Sequence, residues 1–277
     1  MYLGLYEKAT PADLSWEERL IAVKEAGFDF LEISIDESDM RLSRLEWTKE
    51  QRQELFCVAQ TIGLPIRTMC LSAHRRFPFG SSDKEKQNRS LDIMQKAIDF
   101  ACDIGVRIIQ LAGYDVYYEE STEDTRASFF DNLKKGVEMA AKKGVVLGFE
   151  TMEVEFMNSV EKAMKYVELI NSPYLNIYPD IGNVTNGVDD VSSDLLKGRG
   201  NIVAAHLKET IPDVYRDMRF GDGRVDFVES LSVLDSIGVK MFVAECWHKS
   251  GQEFKEELKH TYKFVIDKYE KALSIGV

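Results

Sequence analysis

Glu150, Asp180, His206 and Glu245 each stand at or just beyond the end of a short apolar run, at successive intervals of 30, 26 and 39 residues. The runs are Val145 to Phe149, Leu175 to Tyr178, Ile202 to Ala205 and Met241 to Ala244. These intervals match the length of a βα unit, so four consecutive parallel strands would deliver three carboxylates and one imidazole to one end of a sheet. Three carboxylates converging in a low-dielectric pocket repel strongly unless a cation neutralises them. The set therefore reads as a divalent-metal site. One imidazole with oxygen donors suits Mn²⁺, Mg²⁺, Co²⁺ or Zn²⁺ and leaves positions vacant for a substrate, which points to catalysis rather than a structural metal.

The elements that must hold this quartet follow from a repeated signal, a helix stop followed by a β-like run. Gly27, Gly63, Gly105, Gly144 and Gly238 are each placed to close a helix in the left-handed conformation. The patterns Ser15-x-x-Glu18, Thr48-x-x-Gln51 and Ser82-x-x-Glu85 predict capping boxes at helix starts, and Leu55, Val58, Ala59 and Ile62 lie at helical spacing. Strands are predicted at Phe30 to Ile33, Ile66 to Leu71 and Val106 to Leu111, with an opening strand at Tyr2 to Leu5 and a terminal helix over roughly 253–273. Counting the four runs that carry the quartet gives eight strands alternating with helices. Eight βα units in about 250 residues is the rhythm of a closed (β/α)8 barrel, an α/β fold whose active groups sit at the C-terminal strand ends. An open doubly wound sheet would show a glycine-rich phosphate loop after the first strand, where this chain has Tyr6-Glu7-Lys8. Without an identifiable linker, residues 1–277 are expected to form one domain.

Charge and cysteine usage narrow the function classes. A net charge of −12 with no basic stripe argues against a nucleic-acid partner. Cys57, Cys70, Cys102 and Cys246 lack C-x-x-C spacing and lie mostly in apolar stretches, so buried reduced thiols are expected. With no leader-like segment and no membrane-length apolar run, a soluble cytoplasmic protein is expected.

Longer stretches carry a family resemblance. They are Phe28-Asp29-Phe30-Leu31-Glu32-Ile33-Ser34-Ile35-Asp36-Glu37, Cys70-Leu71-Ser72-Ala73-His74-Arg75-Arg76-Phe77-Pro78-Phe79-Gly80-Ser81, Gln110 to Tyr118, Glu150 to Ser159, and Tyr178-Pro179-Asp180-Ile181-Gly182-Asn183. Across nearly its whole length the chain resembles the sugar-phosphate 3-epimerases of the xylose-isomerase-like barrel superfamily, most closely the bacterial L-ribulose-5-phosphate (L-xylulose-5-phosphate) 3-epimerases. The resemblance implies that Glu150, Asp180, His206 and Glu245 bind one divalent metal and that Glu150 and Glu245 also act as acid and base. It implies a small ketose phosphate as substrate and allows a homodimer. Removing a proton beside a ketose carbonyl leaves an enediolate, and inversion needs a second proton donor on the opposite face.

Around the quartet, Arg75 and Arg76 are placed for a phosphate dianion, with Arg219, Arg224 and Lys208 as helpers, since a guanidinium fork matches phosphate oxygens. Ser72 and His74 could touch the sugar, His74 alternatively being a hydrogen-bonded wall residue. Lys208, two residues past His206, could bond Glu245 or substrate. Trp247 could cover the site or simply pack. Glu32 either faces the barrel mouth or forms an internal charge paired with a neighbour such as Arg67, and Gly221-Asp222-Gly223 reads as a flexible lid. Aldose–ketose isomerases and free-ketose 3-epimerases remain rivals on the same barrel. Abasic-site endonucleases share the superfamily, but their three-metal, histidine-rich cluster cannot be built from this chain's four histidines.

Overall fold

The computed structural model describes residues 1–251 and 253–275. Eight parallel strands, β1 Tyr2–Tyr6, β2 Phe30–Ile35, β3 Ile66–Leu71, β4 Ile108–Ala112, β5 Val146–Glu150, β6 Leu175–Ile177, β7 Ala205–Leu207 and β8 Met241–Ala244, form one sheet in the order β6-β5-β4-β3-β2-β1-β8-β7. The two edge strands meet through the parallel bridges Ile177↔Ile202 and Asp180↔His206, so the sheet curls into a (β/α)8 barrel. The Asp180↔His206 bridge, with the His206 amide donating to the Pro179 carbonyl at 2.8 Å, sets two members of the quartet side by side at the closure.

The helices α1 Trp16–Ala26, α2 Asp39–Leu42, α3 Lys49–Ile62, α4 Lys84–Ile104, α5 Glu123–Lys143, α6 Val160–Ile170, α7 Ile181–Gly187, α8 Val191–Lys197, α9 Phe227–Ser236 and α10 Phe254–Ile275 alternate with the strands. The five predicted stop glycines all take positive φ, from 67° at Gly144 to 109° at Gly27. The capping boxes of α1 and α3 form as predicted. The third does not: Asp83 caps α4 by accepting from the Glu85 amide at 2.8 Å, while the Ser82 amide and hydroxyl turn to Glu119. A carboxylate one residue nearer the helix satisfies the same orphan amides, leaving Ser82 free for another partner. β7 also differs from expectation, since Ile202 makes only an isolated bridge and the regular ladder begins at Ala205.

Strand periodicity decides which residues face the barrel axis. Outward residues such as Leu31, Ile33, Leu147, Ala205 and Leu207 pack under the helices, whereas Tyr6, Phe30, Cys70, Tyr178, Ala204 and Val243 form a separate interior cluster. Gly4 is required there, because a Cβ on it would lie 2.3 Å from the Phe30 ring. Counting by two along each strand from these interior positions reaches Glu32 from Phe30, His206 from Ala204, Glu245 from Val243 and Asp180 from Tyr178. The interior is thus apolar at its base and ionisable towards its C-terminal end.

Candidate active site

One ligand atom each from Glu150, Asp180, His206 and Glu245 can be chosen so that all lie within 4.8 Å of one another, and all four residues are buried. Glu150 ends β5, Asp180 N-caps α7 through the Asn183 amide at 2.9 Å, His206 is central in β7, and Glu245 follows β8. His206 Nδ1 lies 3.5 Å from Glu150 Oε1 and 3.6 Å from Glu245 Oε2, so the imidazole stands between the two glutamates.

Within the quartet three buried carboxylates surround one imidazole, with the Lys208 ammonium beside Asp180 and Glu245. Burial pushes the Asp180 and Glu150 carboxyls up, and the Glu245 charge pushes both further in the same direction, although Lys208 opposes this. Burial also penalises the Glu245 charge, but Lys208 and His206 outweigh it and hold that carboxyl well below its usual range. Burial would lower the His206 pKa, yet Glu32 and Glu245 raise it well above its usual value. Among the described residues, Asp180 Oδ2, His206 Nδ1 and Glu245 Oε2 are buried with no hydrogen-bond partner. Lys208 Nζ approaches Asp180 Oδ2 at 2.9 Å as an ion pair. His206 Nδ1 and Glu245 Oε2, with Asp180 Oδ2 held only by the Lys208 ammonium, are atoms that a cation would satisfy, and an O₃N donor set suits a divalent ion of intermediate hardness. The residues present fit such an ion.

Glu32 resolves the open register at β2. It is fully buried and inside the barrel, and its partner is not Arg67, which is exposed. Glu32 Oε1 lies 2.6 Å from His206 Nε2, and Oε2 accepts from the Thr68 and Tyr178 hydroxyls at 2.8 and 2.9 Å. A Glu32 carboxylate on the Nε2 side leaves Nδ1 to face the other three members of the quartet.

A cavity opens above the quartet, and its walls include Glu150, Glu245, Lys208, Ser72, Arg75 and Trp247. Trp247 stands edge-on to Tyr6 with ring centroids 6.1 Å apart. Lys208 is buried and spans Asp180 at 2.9 Å and Glu245 at 3.4 Å.

Other expected contacts are not brought to this cavity. Arg76 points outward and donates to Asp39 at 2.7 Å, because it follows the short turn Ala73–Arg75 that aims only Arg75 inward. Arg219 pairs with Glu257 of α10 at 2.9 Å in a neighbouring cleft, and Arg224 donates to the Thr185 carbonyl and Asn186. His74 is a buried wall residue, with Nε2 3.1 Å from the Ser90 carbonyl and its ring 4.4 Å from Phe79. Gly221-Asp222-Gly223 is tethered rather than loose, since the buried Glu209 carboxylate accepts from the Gly221 and Val225 amides at 3.0 and 3.1 Å. Of the thiols, Cys70 is buried, Cys57 is exposed and none is in a disulfide.

Sequence reasoning missed Lys8, Glu153, Tyr215 and Arg216, which also line the cavity. Each lies beyond a strand end, Lys8 after β1, Glu153 after β5, and Tyr215 and Arg216 after β7. That position was the available signal, since βα loops build the sites of such barrels.

Comparison with known proteins agrees with this geometry. Residues 20–264 match a family described as xylose isomerase-like TIM barrel. The chain is 47% identical over 251 residues to L-ribulose-5-phosphate 3-epimerase UlaE of Salmonella heidelberg (strain SL476), covering 90% of this chain and 88% of that protein. It is 45% identical over 271 residues to the protein of the same name from Escherichia coli (strain SMS-3-5 / SECEC), covering 98% and 95%. A solved L-ribulose 3-epimerase superposes with a TM-score of 0.82 at 20% identity over 99% of this chain and 96% of that one, which speaks to the fold. Among the described residues no helix is long and apolar enough to cross a membrane. The chain is an isomerase-class enzyme acting on carbohydrates and belongs to the L-ribulose-5-phosphate 3-epimerase family of xylose isomerase-like TIM barrels.

Proposed function

We propose that this epimerase interconverts L-ribulose 5-phosphate and L-xylulose 5-phosphate in the cytoplasm, with Glu150 and Glu245 as its two proton-transfer groups. The observation that carries the reading is their placement, 3.5 and 3.6 Å from the same imidazole nitrogen and lining one cavity. Inversion at a carbon beside a carbonyl needs a base on one face and an acid on the other. One glutamate carboxylate takes the carbon-3 proton, and the C–H electron pair moves into a carbon 2–carbon 3 double bond, placing negative charge on the carbon-2 oxygen. The other glutamate, as the carboxylic acid, delivers a proton to the opposite face of carbon 3, the electrons return to the carbonyl, and the two carboxyls exchange roles in the reverse direction.

Glu150, Asp180, His206 and Glu245 would hold a divalent cation, which supplies Lewis acidity to a bound carbonyl. Lys208, between Asp180 and Glu245, holds those carboxylates in place and opposes their protonation. Ser72 and Trp247 form part of the cavity wall, where a hydroxyl and an indole edge can meet sugar hydroxyls and carbon-bound hydrogens.

Incubating the Mn²⁺-loaded enzyme with L-ribulose 5-phosphate and following products by ¹³C NMR tests this reading. Appearance of L-xylulose 5-phosphate as the first new species is expected. Appearance of an aldopentose phosphate instead would make the enzyme an isomerase, and turnover confined to unphosphorylated ketoses would make it a free-sugar epimerase.

A further inference from the structure

Glu209, one residue past Lys208, is 2% exposed, and its three donors are all main-chain amides. Oε2 accepts from Gly221 at 3.0 Å, and Oε1 accepts from Val225 at 3.1 Å and from Thr210 at 3.3 Å. Burying a carboxylate is costly unless donors replace its water. Two of these donors lie 12 and 16 residues further along the chain, in a segment whose own residues are exposed or half-buried. A surface segment is therefore folded around an inner carboxylate.

Gly223 makes the fit close, since a Cβ on it would lie 2.3 Å from Glu209 Oε1 and 2.5 Å from the Thr210 carbonyl oxygen. The Arg224 amide donates to that same carbonyl at 2.9 Å, so the chain entering at 209–210 is fastened to the chain leaving at 221–225. Residues 211–220 between them form a closed Ω-shaped excursion. Its base is fixed to the barrel: the Thr210 hydroxyl donates to the Gly182 carbonyl at 3.2 Å, two residues past Asp180. Its far end is fixed by Phe220, buried against Phe227 and Phe264 with ring centroids 5.6 and 5.7 Å away.

The excursion carries Tyr215 and Arg216, which belong to no helix or strand and yet form part of the cavity wall with Glu150 and Glu245. Arg216 is nearly half exposed, and its nearest carboxylate is Glu153 at 3.8 Å. This side of the wall thus owes its place to the fastening at Glu209. That matters for an inversion. The carboxylic acid formed when one glutamate takes the carbon-3 proton exchanges that proton with any water that reaches it. Return of a solvent proton to the same face regenerates the starting ketose, labelled but not inverted. Keeping water out until the opposite glutamate delivers its proton favours the epimer.

We propose that Glu209 is a positioning residue for the inversion, the foot of a cap formed by residues 211–220 that seals the cavity against water while the enediolate exists. Glu209 acts through Tyr215 and Arg216, and this role rests on the epimerase reading of the cavity. The carboxylate holds the cap by its main chain, so the seal does not depend on the side chains at the rim.

The test is run in deuterated water with L-ribulose 5-phosphate and the Mn²⁺-loaded enzyme, its Glu209→Gln and Gly223→Ala variants, and Asp194→Asn as control. Glu209→Gln sets an N–H₂ against at least one of the three amide donors. Gly223→Ala displaces the cradle with the carboxylate kept, and carries the test alone where Glu209→Gln does not fold. The buried Asp194 carboxylate likewise accepts from two main-chain amides, of Val160 and Glu161 at 2.7 and 3.1 Å, neither of which lines the cavity. The quantity read, before product accumulates, is deuterium at carbon 3 of recovered L-ribulose 5-phosphate divided by L-xylulose 5-phosphate formed. The cap predicts a low ratio in wild type and in Asp194→Asn, and a rise of about tenfold or more in the cap variants with Mn²⁺ affinity unchanged. A wild-type ratio in the cap variants, or an equal rise in Asp194→Asn, overturns the cap and leaves the epimerase reading standing. A wild-type enzyme that forms no product inverted at carbon 3 overturns the epimerase reading and the cap with it.

Discussion

Glu32 Oε1 and His206 Nε2 meet at 2.6 Å inside the barrel, where both side chains are fully buried. Glu32 receives three donors, from His206, Thr68 and Tyr178, onto two carboxylate oxygens. This fixes the ring so that Nδ1 faces the quartet. Substituting Glu32→Gln places an amide N–H₂ against at least one of those donors, which turns the side chain and with it the imidazole. Metal affinity, measured by calorimetric titration of the apoprotein with Mn²⁺, should fall about 10- to 100-fold. The far-UV spectrum should be unchanged. An affinity equal to wild type would show that Glu32 only fills the barrel.

The proposed proton-transfer roles make a sharper demand on Glu150 and Glu245. Replacing either by Gln keeps the shape and a metal-capable carbonyl oxygen but removes the group that accepts or delivers a proton. Each substitution should lower kcat by at least about 10²- to 10⁴-fold with the protein still folded. Residual epimerisation above that range in either variant would require another residue to carry the proton.

Gly113, just past β4, is packed against the last residue of β5. A Cβ there would lie 2.5 Å from Met157 Cγ and 2.7 Å from the Glu150 carbonyl oxygen. Met157 can shift, but the carbonyl moves only if the end of β5 moves with it. Gly113→Ala should therefore cost about 1–3 kcal/mol in stability and lower kcat by more than about tenfold, because it displaces the Glu150 backbone. Thermal unfolding and steady-state kinetics on the same preparation check this. A loss of stability without a loss of kcat would separate Gly113 from the catalytic geometry.

Acid sensitivity should trace first to His74, outside the quartet. Burial lowers its pKa from 6.5 to about 4, only partly offset by the hydrogen bond to Ser90. Below pH 6.5 the unfolded chain protonates this imidazole while the folded chain does not, so stability falls between pH 6.5 and about 4, by on the order of 3 kcal/mol. Glu7 acts at lower pH. Burial opposes its charge, but Arg44 and Arg19 outweigh that and hold it below 4.5, so its contribution is present above 4.5 and lost as pH falls further. Denaturant unfolding of wild type and His74→Gln across pH 7 to 5 isolates the first effect. The variant should lose less stability on acidification than wild type, and parallel curves would contradict the assignment.

The barrel was legible because α1, α3, α4, α5 and α9 each close at or just before a glycine that is followed by a β-like run, whereas α6 stops at Asn171 and α7 at Val188. β3 and β8 have the predicted limits, although β3 pairs with β2 across a register shift that skips Arg67. β7 shifted because the apolar residues from Ile202 onward lie at the barrel closure, where single bridges replace a ladder. The quartet was legible for the same reason as the strands, each member being tied to a strand end. The Glu32–His206 contact was not, as it joins residues 174 apart whose meeting depends on barrel closure. The arginines show the limit most plainly. Arg75 and Arg76 are neighbours in sequence, yet the turn after β3 sends one into the cavity and the other to Asp39. Arg216 sits in a loop without periodicity, where residue type alone does not distinguish a cavity wall from solvent.

If two opposed glutamates invert carbon 3 of a ketose phosphate, the proton removed and the proton delivered are different ones. Incubating the Mn²⁺-loaded enzyme with L-ribulose 5-phosphate in deuterated water and reading the products by ¹H and ¹³C NMR distinguishes them. Deuterium is expected at carbon 3 of the L-xylulose 5-phosphate formed, with carbon 1 unlabelled. Exchange at carbon 1 alone, or inversion at carbon 3 with the original proton retained in full, would contradict it.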